Sequence, residues 1–132
     1  DADRAWVSAN PDINSPEWDN ARKVRKALSM AIDRQTLVDT LLGGFGAPLC
    51  VRDWGGYEHL MPAHWTCDFD PEEAKALLAE AGYPEGRGFP HFDIYYNTSE
   101  AHKKLAEAIQ QMWKHFSPVV YKRRCTYRKQ LG

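Results

Sequence analysis

The sequence predicts an α/β domain, a helix-rich single lobe around a small mixed sheet. Apolar residues recur at helical spacing in four segments of this 132-residue chain. Side chains alternate in character over residues 92–96, directly before the last of these segments, and residues 119–127 form a strand candidate after it. Residues 92–127 therefore have the length of a strand–helix–strand crossover, which is right-handed in nearly all proteins. Residues 6–9 are a further short strand candidate.

Two helices in tandem are predicted in the first third of the chain. The first begins at Ser15, with Pro16 as its first residue, or at Asp19. Its apolar residues at helical spacing are Val24, Ala27, Leu28 and Ala31. Asp33 can cap the second helix, which ends at the glycine pair 43–44. We expect its apolar residues to face inward: Leu37, Val38, Leu41 and Leu42.

The third helix has sequence signals at both ends. Asp70 is its N-cap, Pro71 occupies the first helical position, and Glu73 completes a capping box. Gly82 stops the helix, and Pro84 follows.

The fourth helix is predicted over residues 98–116, with Asn97 as cap and Glu100 three residues later. His102 lies in its first turns and shares a stripe with Leu105 and Ile109. Unsatisfied N–H groups and the positive end of the helix dipole favour an anion beside such an imidazole. His102 is therefore a candidate ligand-binding residue. The alternative is a partly buried histidine that only completes the helix face.

Net charge is unevenly distributed. Residues 1–116 carry 12 Lys and Arg against 18 Asp and Glu, a net of −6, whereas residues 117–132 carry five basic residues and no acid. A basic strand and tail is predicted there. No recognition helix or RNA-binding signature accompanies it, so we expect no nucleic-acid partner. Composition suits one globular domain over residues 1–132, with 43% hydrophobic and 27% charged residues.

Signatures of catalysis are missing from the sequence. It contains no G-x-S-x-G elbow, no H-E-x-x-H pair and no phosphate-binding glycine loop. The carboxylates fall on predicted exposed helix faces, where solvation and the helix dipole account for them. No segment reaches the roughly 20 apolar residues of a membrane span. We expect a protein that is not an enzyme and has no cofactor.

Three motifs in order carry a resemblance to a known family: ARKVRKALSMAIDR at residues 21–34, DPEEAKALLAEAGYP at 70–84, and YNTSEAHKKLAEAIQQMW at 96–113. Together they resemble the dipeptide and oligopeptide class of extracellular solute-binding proteins, family 5, the receptors of ABC importers. The resemblance implies a periplasmic-binding-protein type II fold and a ligand held between two lobes. Because such receptors are several times longer, it also implies that this chain is part of the second lobe.

The resemblance implies a role for the start of the fourth helix. There the histidine of the matching stretch can reach the C-terminal carboxylate of a bound peptide, which assigns ligand contact to His102, with Asn97 and Ser99 beside it. It further implies a peptide or small-molecule ligand, an ABC permease as partner of the intact receptor, and a periplasmic or extracellular location, with a lipoprotein as one form. The ligand stays open among dipeptides, oligopeptides, nickel complexes and sugars.

Residues 45–69 form a long segment without periodicity, and such loops are functional or tied down. Its cysteines and histidines fit zinc poorly, because the spacing C-x8-H-x4-H-x2-C of Cys50, His59, His64 and Cys67 lacks a paired C-x2-4-C clip. In an exported protein a Cys50–Cys67 disulfide is the simpler expectation, leaving Cys125 odd. Two tryptophans of the segment are candidates for stacking on a ligand: Trp54 and Trp65.

A second function class stays open. The chain could be a small interaction or structural domain whose basic C-terminal residues, 117–132, form the contact surface. Titration with short peptides separates the two classes, because only a solute receptor would bind them.

Overall fold

Four α-helices and two 3₁₀ turns make up the regular structure in a computed structural model that describes residues 12–48, 58–60, 67–90, 92 and 94–116. The helices are α1 (Pro16–Met30), α2 (Arg34–Leu41), α3 (Pro71–Glu80) and α4 (Glu100–Phe116), and the 3₁₀ turns are Glu58–Leu60 and Pro84–Gly86. None of these helices combines the length and apolar character needed to cross a membrane. The predicted limits of the single domain, of the irregular segment 45–69 and of the basic tail 117–132 stay predictions.

The predicted small mixed sheet is wrong for the part of the chain that the structure describes, because no residue there belongs to a strand. Residues 94–96 have no regular structure, and the other strand candidates, 6–9 and 119–127, lie outside the described residues. A strand exists only when its backbone N–H and C=O groups bond to a neighbouring strand, so alternation along one segment could not establish a sheet. The helix-rich half of the prediction is right.

Three helices begin where their caps predict. The side-chain oxygens of Ser15, Asp33 and Asp70 accept the backbone N–H three residues further on, at 3.1, 2.9 and 2.9 Å. For α1 this decides between the two predicted starts, because Ser15 is the N-cap and Pro16 the first helical residue. These bonds satisfy donors that a helix start otherwise leaves open.

The predicted capping box of α3 is wrong. Its second half requires Glu73 to accept the Asp70 N–H, but that group donates to the Met30 carbonyl at the end of α1, at 3.1 Å. A partner from another helix has replaced the local one. The start of α3 is thereby joined to α1 through the backbone.

The predicted stop of α3 at Gly82 is confirmed, since Gly82 follows the C-cap with a φ of 96°, in the region that favours glycine. The Tyr83 N–H donates to the Leu78 carbonyl at 2.9 Å, and the Gly82 N–H donates to that of Ala79 at 3.0 Å. This pair of bonds is a Schellman motif. It turns the chain sharply into the Pro84–Gly86 turn.

The buried core lies mainly between α1 and α3. Small residues let the helices approach closely, and Val24 and Leu78 are the largest fully buried side chains, at 1% and 2% exposure. The other members of the core cluster are Ala27, Ala31, Ala74, Ala81 and Phe89. Edge-on aromatic contacts extend it toward α4: Tyr83–Phe89 at 5.1 Å between ring centroids, Phe89–Phe92 at 6.1 Å and Phe92–Trp113 at 5.4 Å.

The end of α1 joins the other helices. Its last three carbonyls have no partner within the helix, and each accepts from another element. Leu28 accepts from the Trp113 indole on α4 at 2.9 Å, Ser29 from the Arg34 guanidinium on α2 at 2.9 Å, and Met30 from the Asp70 N–H before α3 at 3.1 Å. We call these three carbonyls the α1 junction. It positions α2, α3 and α4 around one point.

The inward face predicted for α2 is right for its first half only. Leu37 and Val38 are buried, but Leu41 and Leu42 are 38% and 52% exposed. Because α2 packs along α4 rather than into the α1–α3 core, its final turn lacks a covering layer in the described part of the chain. These two leucines lie beside the candidate site.

Candidate functional site

The start of α4 is built by two polar residues. The helix begins at Glu100, so Ser99 is in the N-cap position: its carbonyl accepts the Lys103 N–H at 3.0 Å and its hydroxyl the His102 N–H at 3.5 Å. Asn97, predicted as the cap, instead accepts the Ser99 N–H at 3.1 Å. Three successive residues that favour caps, 97–99, left the sequence unable to choose.

His102 is held by Asn97 and is exposed to solvent. Its Nδ1 lies 2.7 Å from Asn97 Oδ1. Since the same Oδ1 accepts the Ser99 N–H, it is an oxygen, and Nδ1 must carry the hydrogen. The ring therefore has one tautomer when neutral, with Nε2 as an acceptor. Nε2 can donate to a carboxylate only after His102 takes up a proton.

A groove runs between α2 and α4, with a volume of about 700 Å³. Its walls are mostly aliphatic and include Ile32, Leu37, Val38, Leu41, Leu105 and Ile109. Three basic side chains also line it: Arg34 from α2, and His102 and Lys104 from α4. We call it the α2–α4 groove. The predicted stripe of His102, Leu105 and Ile109 is thus one wall of an open groove.

Arg34 belongs to both the α1 junction and the groove. Its Nη1 donates to the carbonyls of Ser29 at 2.9 Å and Ile32 at 3.3 Å, and its Nη2 donates to the Ser29 hydroxyl at 2.8 Å. Partial burial lowers the pKa of the guanidinium from its ordinary value. The group is still charged, because arginine does not lose its proton in proteins. Three bonds use three of the five N–H donors, so two remain for other groups.

Cysteine and histidine do not form a metal centre in the described residues, where no group of three or more metal-ligating side chains occurs. Cys67 is disulfide-bonded, so its sulfur is not the thiolate that a zinc site needs. Its partner lies outside the described residues, as do both Cys50 and Cys125. The Cys50–Cys67 pairing therefore stays a prediction.

Other candidates from the irregular segment are not brought to the groove by any described contact. His59 is exposed in the Glu58–Leu60 turn. Trp54, Trp65 and His64 lie outside the described residues. Sequence reasoning also missed Arg34 and Lys104. Lys104 was missed because side chains two positions apart on a helix point in different directions, so its spacing from His102 gave no signal. Arg34 reaches the groove only because α2 packs along α4.

A comparison with protein families identifies the family of this chain. The family model for the middle part of bacterial extracellular solute-binding proteins, family 5, matches residues 5–117. The chain belongs to this family. The resemblance carried by the three sequence motifs is thereby confirmed.

Relatives give the extent of the likeness. The periplasmic oligopeptide-binding protein OppA of Salmonella typhimurium is 36% identical over 108 residues, which cover 72% of this chain and 18% of that protein. The heme-binding protein A of Haemophilus influenzae is 32% identical over 115 residues, covering 83% of this chain and 20% of that protein.

A solved structure supports the fold. The crystal structure of a periplasmic oligopeptide-binding protein of an ABC transporter, OppAIV from Borrelia burgdorferi, is 42% identical, with a TM-score of 0.62 over 80% of this chain and 21% of that one. The chain spans about one fifth of the length of these relatives. They are named as binding proteins and not as enzymes.

Proposed function

We propose that this chain is part of the ligand-binding receptor of an ABC importer for peptides, and that the receptor works in the periplasm or outside the cell. The observation that carries the proposal is the 42% identity to a solved oligopeptide-binding protein over 80% of the chain. Relatives bind other solutes by name, including heme and glutathione, so family membership alone leaves the ligand open. Peptide is the class shared by the solved relative and OppA of Salmonella typhimurium.

In the proposed receptor the ligand is trapped between two lobes, and the closed form is presented to the membrane permease. This chain would supply one contact, the His102 imidazole to a peptide carboxylate. The Asn97 bond to Nδ1 supports this role, because it fixes the ring and leaves Nε2 for the ligand. Asn97 and Ser99 are then positioning residues, since their oxygens are occupied by the start of α4.

Peptide titration of the intact receptor, expressed from the reading frame that contains this chain, tests the proposal. We expect di- to pentapeptides to bind, and His102→Ala to weaken one length class about tenfold, as expected for a hydrogen bond to a charged group. Lys103→Ala is the matched control, since its ammonium faces Glu100 at 3.8 Å. An intact receptor that binds none of these peptides would remove the proposed function.

Peptides with a free and with an amidated C-terminus test the role of His102 separately. His102→Ala should weaken binding of the free acids, because the carboxylate loses its partner, and should leave the amidated peptides nearly unchanged. Equal effects of His102→Ala on both kinds of peptide would leave His102 outside the site.

The isolated 132-residue chain should bind the same peptides far more weakly than the intact receptor. An open surface leaves much of a ligand in solvent and must still offset at least about 4 kcal/mol of lost translational and rotational freedom. Micromolar affinity in the isolated chain would contradict this expectation. The alternative of an interaction domain has no observation in its favour, since residues 117–132 lie outside the described part of the chain.

A further inference from the structure

We infer that the α2–α4 groove is a binding site for a small apolar carboxylate, a molecule with an aliphatic body and one terminal anionic group. This inference goes beyond the proposed peptide receptor, because it concerns the isolated chain and a site that extends from His102 along both helices. Three observations carry it: the shape of the groove, the sign of its charges and the donors that remain free.

The shape suits a small ligand. About 700 Å³ lies within the range of roughly 300–1,000 Å³ typical of small-molecule sites. The walls are largely aliphatic, and Leu41 from α2 and Leu105 from α4, which both line the groove, are each 38% exposed. Covering such surface with an aliphatic chain removes it from water, which favours binding.

The charge in the groove is opposite to that of its surroundings. Residues 1–116 carry a net −6, yet the groove lining has three basic side chains and no acidic one. The acidic residues of the two helices, such as Asp39 and Glu107, are not among the lining residues. An anion is therefore favoured here over a cation of the same shape.

The donors are also available. Arg34 has two N–H groups beyond its bonds to Ser29 and Ile32, and Lys104 forms no ion pair with any residue that the structure describes. A second copy of the chain is a poor occupant, because two grooves placed face to face would bring Arg34 and Lys104 of each copy together.

NMR titration of the isolated chain with octanoate, octanol and octylammonium tests the inference. We expect saturable shifts at Leu41, Leu105 and Ile109, with octanoate binding about fivefold more tightly than octylammonium, as a few partly exposed charge interactions allow. N-acetyl-leucine, which resembles the carboxyl end of a peptide, forms a second arm. Tighter binding of octanoate than of N-acetyl-leucine supports the inference, and the reverse would overturn it, because the groove would then be part of the peptide site.

Lys104→Glu should lower octanoate affinity about fivefold and raise that of octylammonium. Lys103→Glu makes the same change of charge one residue away, outside the groove lining. It should leave the affinities for octanoate and for octylammonium nearly unchanged. Leu105→Ser should weaken both ligands equally. Arg34 is left intact because it also holds the end of α1.

Equal affinity for octanoate and octylammonium would overturn the inference, as would equal effects of Lys103→Glu and Lys104→Glu. So would octanoate shifts that map elsewhere, or a dimer in light scattering that Leu105→Ser dissociates. These outcomes are separate from the peptide proposal, which is measured with other ligands on the intact receptor.

Discussion

The α1 junction and the α2–α4 groove both combine polar groups with apolar side chains. The polar groups of the junction are hydrogen-bonded and the core beside it is buried, whereas the groove is partly exposed. At the junction, three carbonyls receive donors from three separate parts of the chain, beside a core whose leucine Leu78 is 2% exposed. In the groove, Leu41 and Leu105 are each 38% exposed and Lys104 has no described partner. Satisfied polar groups and buried apolar ones stabilise a fold, whereas unsatisfied ones are available to a ligand. We therefore expect substitutions at the junction and its core to change mainly stability, and substitutions in the groove to change mainly ligand binding.

The largest difference in stability is expected between substitutions of two leucines, one in the core and one in the groove. Leu78→Ala should lower the free energy of unfolding by about 2–5 kcal/mol, because it leaves a cavity in the closed core. Leu105→Ala should cost about 1 kcal/mol or less, since part of that side chain is already in water. Urea unfolding followed by circular dichroism measures both. Equal losses would mean that the groove is covered in solution.

The next prediction concerns the covalent contribution of the Cys67 disulfide to the stability of the fold. With Cys50 as partner, the bridge should contribute about 3 kcal/mol in the chain-entropy model. Cys50→Ser should expose Cys67 to alkylation without reductant, and Cys125→Ser, the matched control, should leave it protected. Intact mass reports the number of alkylated cysteines. Two or three alkylated cysteines in the native wild-type protein would rule out the bridge.

At the junction itself, Trp113→Phe removes the hydrogen bond to the Leu28 carbonyl while keeping an aromatic ring against Phe92. We expect a loss of about 1 kcal/mol. Trp18→Phe is the control for the smaller ring, since Trp18 contacts Arg25 at 5.2 Å and its indole N–H has no described acceptor. If both variants lose the same stability, the junction bond adds nothing measurable.

The smallest expected effect is at Asp33, which starts α2 between the two regions. The Thr36 backbone N–H, followed by the Thr36 hydroxyl, lowers the pKa of Asp33 from its ordinary value. A lowered folded-state pKa means that this stabilisation is complete above the unfolded value, about 3.9, and is lost as pH falls through the folded value.

Asp33→Asn provides the control for that effect, because asparagine keeps an acceptor for the Thr36 N–H and does not titrate. At neutral pH the variant should be within about 1 kcal/mol of wild type. Below about pH 4 the wild type should lose stability relative to the variant. Parallel pH profiles of the free energy of unfolding would contradict the expected contribution of the carboxylate.

Features that depend on neighbours in sequence were predicted well. The caps at Ser15, Asp33 and Asp70 and the stop at Gly82 each involve residues within five positions, so the chain itself brings the partners together. The start of α4 shows the limit of such signals. Three successive residues, 97–99, could each cap it, and Ser99 took the position that Asn97 was expected to hold.

Features that depend on distant partners were not predicted. Nothing within four residues of Asp70 indicates that its N–H donates to Met30 instead of completing a capping box. Trp113 and Leu28 are 85 residues apart, and their bond exists only because the helices pack. The expected sheet is missing from the described residues for the same reason, since alternation in residues 92–96 says nothing about a partner strand.

The sequence by itself determined the four helices, the N-caps of the first three and, through three motifs, the family of solute-binding proteins. It also placed His102, Leu105 and Ile109 on one helix face, because helical periodicity is a local property. Only the tertiary structure decided that Arg34 joins that face and that no described residue covers the groove. The distance between two helices and the exposure of the side chains between them depend on both helices, so the sequence of one segment does not determine them.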